Sequence, residues 1–457
     1  MELLFFLPVS SSWPAFAVTS LLVISITRAV YLLIYRLYLS SLAKFPGPRI
    51  AAATHWYEAY YDLFSQGGGQ WTFKIRDLHT EYGPIIRINP DELHIDDPDY
   101  YDVVYCNSHA SRPIDKIETF RYRFGIPEAT VQSASAEVHR RRRAAIAPCF
   151  SKARIRSRNA DLQAIIERIS QRLSTEYAGT GKVINVNDLW SAMASDIITA
   201  MAFARPTNYS AATDFKSPFA QATGKMVHFA HVMTHFGFLE MRNQIREILN
   251  GSNEDIKTAP HPTIFHDALS ADLPPEDMTL GRLQQEAVGV NGGAVETTSW
   301  TLSVAAFHII NSPSIKSALQ AELVARIPNP SQILPWDELE DLPYLSAVIM
   351  EALRLTFGSV QRLPRVNRLA SIEYGNWEIP PNTPVSMDAY HMHMNETIFP
   401  EAKEFRPERW LGSPKGPDGA RPLSHYMVSF SRGARGCLGL NLAMMELPSE
   451  ADAHVWK

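Results

Sequence analysis

The sequence predicts a mainly α protein with a minor β region: a single large helical domain behind an N-terminal transmembrane helix. Apolar residues recur at helical spacing across residues 137–355. Short strand-like segments bounded by turn residues occur at 82–95 and again at 372–385. An uncharged, apolar run of 25 residues covers positions 3–27, and about 20 such residues span a bilayer core.

The composition is that of a globular protein and excludes several functional classes. The 457 residues are 46% hydrophobic and 20% charged, which is not typical of a disordered chain. The net charge of −5 gives no basis for nucleic-acid binding. The cysteines are odd in number and form no Cys-x-x-Cys pair: Cys106, Cys149 and Cys437. This usage indicates a reducing compartment rather than a disulfide framework.

The N-terminal run is predicted to be an uncleaved anchor over residues 1–36. Pro8 and Pro14 restrict the helix to about residues 13–34. Basic residues follow the run and one acid precedes it: Arg28, Arg36, Lys44 and Arg49 against Glu2. This asymmetry places the C-terminal bulk in the cytoplasm. A cleaved signal peptide is the alternative, but it needs a basic segment where Glu2 stands.

A proline-rich segment, Phe45-Pro-Gly-Pro-Arg49, ends the basic stretch that follows the anchor. Its prolines fix the backbone and stop a helix. We therefore expect three parts: the anchor at 1–36, a basic and proline-rich hinge at 37–49, and a catalytic domain at 50–457.

One cysteine near the C-terminus lies in a glycine-rich setting. Phe430, Gly433, Arg435, Cys437 and Gly439 stand at fixed spacing within ten residues. Glycines let a backbone approach a large cofactor closely. We expect Arg435 and a helix starting near residue 438 to lower the pKa of the Cys437 thiol. A buried structural cysteine in a tight turn is the alternative interpretation.

This segment resembles the haem-binding loop of the cytochromes P-450, and the resemblance extends from the anchor to residue 447. It implies the cytochrome P-450 fold, haem b as cofactor and Cys437 as the axial thiolate ligand of the haem iron. Residues 87–95 and 234–239 are similar to fungal secondary-metabolism members, near the trichodiene oxygenase group.

A Glu-x-x-Arg pair precedes the cysteine loop. Glu351 and Arg354 have this spacing, which alone means little because Glu118–Arg121 and Glu137–Arg140 share it. In the resembled family the pair forms an ion-paired structural network with the arginine that here is Arg409.

A small-residue stretch interrupts a long helical pattern at 292–298, where we expect a local loss of helical regularity. The alternative interpretation is structural: the small residues allow close packing on a neighbouring helix. The resemblance makes Glu296 and Thr297 the catalytic acid–alcohol pair that moves protons during oxygen activation.

Cationic side chains match the family's positions for the haem propionates. By resemblance these are His139 and Arg143 on one helix face, with Arg365 and Arg435. Three further arginines, 140–142, could form a basic surface for an acidic redox partner. His391 and His393 could be mistaken for a metal pair on one strand face, but we expect no metal there.

Two stretches, residues 120–126 and 229–239, are expected to shape an apolar pocket. Beyond Glu446 the resemblance fails, because Pro448 is expected to interrupt the helix and the chain ends at Lys457. Family members usually continue for several tens of residues through a final hairpin. The C-terminal end is therefore expected to be truncated.

The resemblance implies a monooxygenase that inserts one atom of O2 into a lipophilic small molecule, a terpenoid or another secondary metabolite. Electrons would come from NADPH through NADPH–cytochrome P-450 reductase. The protein would be a single-pass membrane protein of the endoplasmic reticulum. The alternatives are a truncated, catalytically impaired haem-binding remnant and a non-oxygenating haem enzyme. The second ranks last because Glu296 and Thr297 are both present.

Overall fold

The computed structural model describes residues 12–106, 113–122, 124–228, 263–327 and 334–455. Over these ranges the helices are α1 (Ser12–Ile34), α2 (Arg49–Ala53), α3 (Trp56–Leu63), α4 (Trp71–Tyr82), α5 (Tyr101–Val104), α6 (Ala136–Ile146), α7 (Lys152–Arg156), α8 (Asn159–Arg172), α9 (Val186–Phe203), α10 (Pro218–His228), α11 (Ile264–Ser270), α12 (Leu280–Asn311), α13 (Pro313–Arg326), α14 (Trp336–Leu339), α15 (Pro343–Thr356), α16 (Ala389–His393) and α17 (Leu440–Val455). The strands are β1 (Ile85–Arg87), β2 (Leu93–Ile95), β3 (Ile114–Asp115), β4 (Arg365–Asn367), β5 (Ile372–Tyr374), β6 (Trp377–Ile379) and β7 (Pro384–Ser386). The predicted mainly α class with minor strands is confirmed.

The N-terminal helix α1 follows the predicted limits and continues as a π-helical turn, Tyr35–Leu39. Among the described residues, one helical stretch, Phe16–Leu39, is long and apolar enough to cross a membrane. Its mean hydropathy is 2.0 and none of its most apolar window is buried in protein. These properties are compatible with a membrane anchor.

Backbone contacts divide the chain into two compact units, Met1–Ile95 and Asp96–Lys457. In the first, β1 and β2 pair antiparallel with Ile85 opposite Ile95. The proline-rich segment is bonded to β1, since the Arg87 N–H donates to the Pro46 carbonyl at 2.7 Å. Gly47 has a φ of +145°, and a Cβ there would lie 2.6 Å from the Arg87 oxygen. This segment is therefore fixed against β1. The predicted boundaries at 36 and 49 stay predictions.

In the second unit the long helix α12 is central and packs along α9, α15 and α17. The predicted loss of regularity at 292–298 is wrong, because α12 is helical throughout its 32 residues. The hydroxyls of Thr297 and Thr301 donate to carbonyls four residues earlier, and neighbouring helices support the backbone. Burial of this helix outweighs the roughly 1 kcal/mol that each helical glycine costs.

The strands of the second unit form two small antiparallel groups. In one, β4 pairs on one side with β3 and on the other with β7, with Arg365 opposite Val385. In the other, β5 and β6 form a hairpin with Tyr374 opposite Trp377. The strand character predicted at 372–385 is confirmed, and the first group places Arg365 at the start of β4.

Helix α17 contradicts the predicted interruption at Pro448, because it continues to Val455 with this proline inside. A proline removes one helical hydrogen bond and crowds the carbonyl four residues earlier. Leu442, Met445 and Leu447 are buried in the main hydrophobic core. The burial of these side chains stabilises the helix enough to offset the cost of the proline.

A buried carboxylate, Glu351 on α15, organises the segments around it. Its oxygens accept from Arg354 Nη2 at 2.7 Å and Nε at 2.9 Å. Arg409 Nε at 3.0 Å, Trp410 Nε1 at 2.9 Å and the Arg406 N–H at 3.0 Å also donate to it. Burial alone would raise the pKa of Glu351, but these donors hold that pKa below its ordinary value.

His391 and His393 lie on the short helix α16 and therefore not on one strand face. The helix forms because Asp388 caps it by accepting from the His391 N–H. The His393 ring bonds the Arg354 carbonyl at 2.9 Å and accepts from the Val428 N–H at 3.0 Å. Both nitrogens of His393 therefore have structural partners.

Glu351→Gln should lower the free energy of unfolding by about 3–5 kcal/mol, because it leaves buried Arg354 without its counter-charge. Denaturant titration of the detergent-solubilised chain measures this. The matched control is Glu137→Gln, which has the same spacing to Arg140 on an exposed helix face and should change stability by less than about 0.5 kcal/mol. Equal changes in the free energy of unfolding for the two substitutions would contradict the structural role of the Glu351–Arg354 ion pair.

Candidate functional site

The cysteine loop is folded tightly around Gly433 and Cys437. The Cys437 N–H donates to the Phe430 carbonyl at 2.8 Å, and the Gly436 N–H donates to the Gly433 carbonyl at 3.0 Å. Gly433 has a φ of +69°, and a Cβ there would lie 2.3 Å from the Cys106 oxygen. Only glycine fits this position. Helix α17 begins three residues after the cysteine.

Cys437 is exposed to solvent, but enough protein lies near its sulfur that desolvation raises the pKa of the thiol. The Gly439 N–H and the Arg143 guanidinium act in the opposite direction. The expectation that Arg435 lowers the pKa is wrong, because the Arg435 side chain turns away to backbone carbonyls. A metal bound at the sulfur would favour the thiolate directly.

Three arginines near this loop have no acidic partner in the described parts of the chain. Arg143 Nη1 donates to the Gly436 carbonyl at 2.8 Å. Arg365 Nη1 donates to two backbone carbonyls at 3.2 Å each. Arg435 donates to the Ser133 and Ala134 carbonyls at 2.7 Å each. Burial lowers the pKa of all three, that of Arg435 to about 9.

His139 lies among these cations on the same face of α6 as Arg143, four residues away. Burial lowers its pKa to about 3, and the charges of Arg435, Arg143 and Arg365 add to that shift. The imidazole is therefore neutral at physiological pH. The structure brings together the four side chains that the sequence predicted to bind propionates.

The donor set fits haem. Buried guanidinium groups without counter-charge are costly, and two ligand carboxylates would supply the missing charge through paired hydrogen bonds. A cysteine at the N-terminal end of α17 supplies a soft ligand suited to iron. Cys437, Arg143, Arg365 and Arg435 are the residues that would hold the group.

Glu296 and Thr297 lie on α12, but no hydrogen bond joins their side chains. Thr297 Oγ1 donates to the Gly293 carbonyl at 2.7 Å. The Glu296 carboxylate faces α10, where a Cβ at Gly224 would lie 3.6 Å from Oε1. Burial raises the pKa of Glu296 to about 7, so this carboxyl is part protonated at neutral pH.

Sequence reasoning gave no role to Glu446, which is buried on α17. Its Oε2 accepts from Thr298 Oγ1 of α12 at 3.2 Å, while its Oε1 is buried without a partner among the described residues. Burial raises its pKa to about 8, against an ordinary value of 4.5. The available signal was an acid within the apolar first turns of the helix that follows the cysteine, residues 440–447.

Two further features escaped sequence reasoning. The Arg365 guanidinium lies 5.1 Å from the centre of the Tyr105 ring, and the Tyr105 hydroxyl donates to the Met387 carbonyl at 2.6 Å. The acceptors for Arg435 are backbone carbonyls, which carry no side-chain signature. A sequence motif cannot reveal them.

The predicted basic surface is largely wrong, because two of its arginines are paired inside the protein. Arg141 and Arg142 both bind the buried carboxylate of Asp277, at 2.7 and 2.6 Å. Arg140 remains exposed. Helical spacing alone could not show this, since the acid lies more than 130 residues away in sequence.

Of the two predicted pocket segments, one lies partly in the described chain. Phe124 packs against a cluster of Ile126, Ala129 and Val288, the last from α12. The second segment, residues 229–239, lies outside the described residues.

Glu446→Gln should remove a pH dependence of stability. The carboxyl binds its proton more tightly in the folded state, so the free energy of unfolding falls as pH rises from about 5 to 9, by roughly 1 kcal/mol per unit up to the folded pKa of about 8. Denaturant titrations at pH 6 and 9 measure this loss, which the exposed control Glu137→Gln should retain. The same loss in Glu446→Gln would show that Glu446 does not titrate upon folding.

Comparisons with known proteins agree with this geometry. A family model described as cytochrome P-450 matches residues 56–448. The chain is 36% identical to the cytochrome P-450 monooxygenase orf4 of Eupenicillium brefeldianum, over 95% of this chain and 92% of the relative. It is 39% identical to the cytochrome P-450 monooxygenase astB of Talaromyces wortmannii, over 90% and 82%. A crystal structure described as that of a cytochrome P-450 has a similar fold, with a TM-score of 0.69 at 18% identity, covering 84% of this chain and 87% of that one.

Proposed function

Because the chain belongs to the cytochrome P-450 family and is a haem-thiolate monooxygenase, we propose that Cys437 binds the haem iron and that the substrate is a lipophilic secondary metabolite. One observation supports the site assignment: near the thiol, buried Arg365 and half-buried Arg143 and Arg435 donate their hydrogen bonds to backbone carbonyls and have no acidic partner among the described residues.

When bound, haem supplies an iron that activates dioxygen, and a thiolate ligand favours O–O cleavage. Cys437 would provide that ligand, with the Gly439 N–H and the Arg143 charge stabilising its negative sulfur. Arg365 and Arg435 would meet the propionates, because a guanidinium can donate two parallel hydrogen bonds to a carboxylate. Neutral His139 could donate one more.

Proton handling falls to Glu296 and Thr297. A carboxyl with a pKa of about 7 can both accept and release a proton near neutral pH, as a general acid–base requires. The Thr297 hydroxyl now donates to the Gly293 carbonyl, and rotation about its Cα–Cβ bond would free it to donate elsewhere. Together the two groups would carry protons between solvent and the oxygen site.

The family implies a redox partner and a small-molecule substrate. We propose NADPH–cytochrome P-450 reductase as that partner. Half-buried Phe124, which packs on the core cluster of Ile126 and Val288, is a described member of the proposed apolar pocket at residues 120–126 and supports a lipophilic substrate. A terpenoid is the specific proposal, resting on the likeness of residues 87–95 to secondary-metabolism members.

We propose that the enzyme is attached to the endoplasmic reticulum by α1, with residues 50–457 as the cytoplasmic catalytic domain behind a hinge at 37–49. A second feature of the first unit supports membrane attachment. Trp56 and Tyr60 lie one turn apart on α3 and Phe64 follows its last residue; the three are 74%, 55% and 68% exposed. Exposed tryptophan and tyrosine are typical of the membrane–water interface.

Cys437→Ser should abolish the reduced carbon monoxide difference band that reports thiolate ligation, because an alcohol does not replace the soft sulfur ligand. The measurement uses the full chain purified from microsomes. Cys106→Ser is the matched control and should retain the band. An unchanged spectrum in Cys437→Ser would refute the ligand assignment.

Thr297→Ala should uncouple electron use from product formation, since the hydroxyl is lost from the proton path. With reductase and a lipophilic substrate that supports turnover, product formed per NADPH should fall roughly tenfold or more, while hydrogen peroxide release rises. Thr297→Ser keeps the hydroxyl and should restore coupling. If Thr297→Ala stays fully coupled, this residue has no proton role.

A further inference from the structure

We propose that Glu286 is a positioning residue, which fixes the Arg435 guanidinium through a short strap formed by residues 126–134. The proposal rests on the proposed function in one respect, the role of Arg435 in holding haem. It adds a residue on α12 that lies outside the haem motifs and reaches the site through the backbone of the strap.

The strap is tied to the first turns of α12 at two backbone positions. The Glu128 N–H donates to Gln285 Oε1 at 2.7 Å. The Thr130 N–H and hydroxyl both donate to Glu286 Oε2, at 3.0 and 2.6 Å. Two side chains of α12 therefore specify the register of the strap.

A buried ion pair holds the Glu286 carboxylate in place. Arg282 Nη2 lies 2.6 Å from Glu286 Oε2 and donates to Thr130 Oγ1 at 2.9 Å. Arg282 and Glu286 are 2% and 3% exposed, so little solvent screens the pair. Both charges are fixed one helical turn apart on a rigid helix.

The other end of the strap reaches Arg435. Its Ser133 and Ala134 carbonyls accept from the two terminal nitrogens of this arginine, at 2.7 Å each. Between Thr130 and Ser133 the chain forms a 3-10 turn, closed by hydrogen bonds from Gln132 N–H to Ala129 O and from Ser133 N–H to Thr130 O. This turn is short and internally bonded, so the position of Thr130 determines where the two carbonyls lie.

Apolar contacts leave the strap no room to shift on α12. A Cβ at Gly289 would lie 3.3 Å from Ile126 Cδ1 and 3.5 Å from the Ala129 Cβ. On the opposite side Arg142 Nη1 donates to the Glu128 carbonyl at 2.8 Å and to Ser133 Oγ at 3.2 Å. The strap is therefore held between α12 and α6.

The chemical consequence concerns charge as well as position. Carbonyl groups orient Arg435 but do not neutralise it, so its positive charge remains available for a ligand carboxylate. An acid at the same place would orient the arginine and cancel that charge. Glu286 instead binds Thr130 of the strap, so it positions the carbonyls that orient Arg435 without neutralising the arginine.

The test measures the rate at which ferric haem transfers from the holoenzyme to excess apomyoglobin. Glu286→Gln should raise that rate about tenfold, the fold-change of one lost charged hydrogen bond. Glu128→Gln is the matched control. It makes the same chemical change in the strap, but its carboxylate is 40% exposed and pairs with Arg121 and, at 4.0 Å, with Arg142, so its rate should stay within twofold of wild type.

A double-mutant cycle separates positioning from general stability. Arg435→Lys removes the fork that Glu286 is proposed to orient, so Glu286→Gln should have no further effect on haem release in that background. Additive effects would overturn the proposal. So would an unchanged haem release rate in Glu286→Gln when Arg435→Lys alone raises it.

The single variant Arg435→Lys and a second variant, Thr130→Val, decide the remaining outcomes. If Arg435→Lys leaves haem release unchanged, the proposed role of Arg435 fails and the positioning proposal falls with it, a result distinct from additivity. If Glu286→Gln does not fold, Thr130→Val breaks the same link with a smaller loss. It should speed both haem release and hydrogen exchange over residues 128–134, and unchanged rates would overturn the proposal.

Discussion

One buried carboxylate, Glu351, determines how the segments beneath the cysteine loop are arranged. Because its charge cannot stay buried alone, two arginines and a tryptophan must converge on it. Arg354 then continues the connection, since its carbonyl bonds the His393 ring. That ring accepts from the Val428 N–H, two residues before Phe430. The residues that compensate the buried charge of Glu351 are therefore connected by hydrogen bonds to the start of the cysteine loop.

The protein uses arginine in two opposed ways. Around Glu351 the guanidinium groups are compensated by a carboxylate and have a structural role. Around Cys437 they donate to backbone carbonyls, with the Tyr105 ring against Arg365, and no carboxylate of the described residues pairs with them. The first arrangement is complete within the chain, whereas we propose that a dianionic ligand completes the second. Arginines paired with a carboxylate thus have a structural role, and arginines without one are the candidates for ligand binding.

Sequence reasoning was most successful where the chemistry is local. The cysteine motif, the N-terminal apolar helix and the mainly helical class follow from spacing and composition. It failed at Gly292, Gly293 and Pro448, where tertiary packing keeps α12 and α17 regular against local preference. It also missed the partners of Arg435, Arg141 and Arg142. A backbone carbonyl or an acid far away in sequence cannot be recognised from the residues that flank an arginine. The pKa of Glu446 likewise depends on burial by α12, which no local pattern encodes.

The strap between α12 and α6 has a consequence for how such an enzyme acquires new substrates. Phe124 packs against the buried cluster that contains Ile126, and a few residues later the same stretch of backbone bonds Arg435. If these side chains border the proposed apolar pocket, their exchange would reshape it while the backbone stays in register. An insertion or deletion between residues 126 and 134 would alter haem retention at the same time. Diversification in this part of the fold is therefore expected to proceed by substitution at constant loop length.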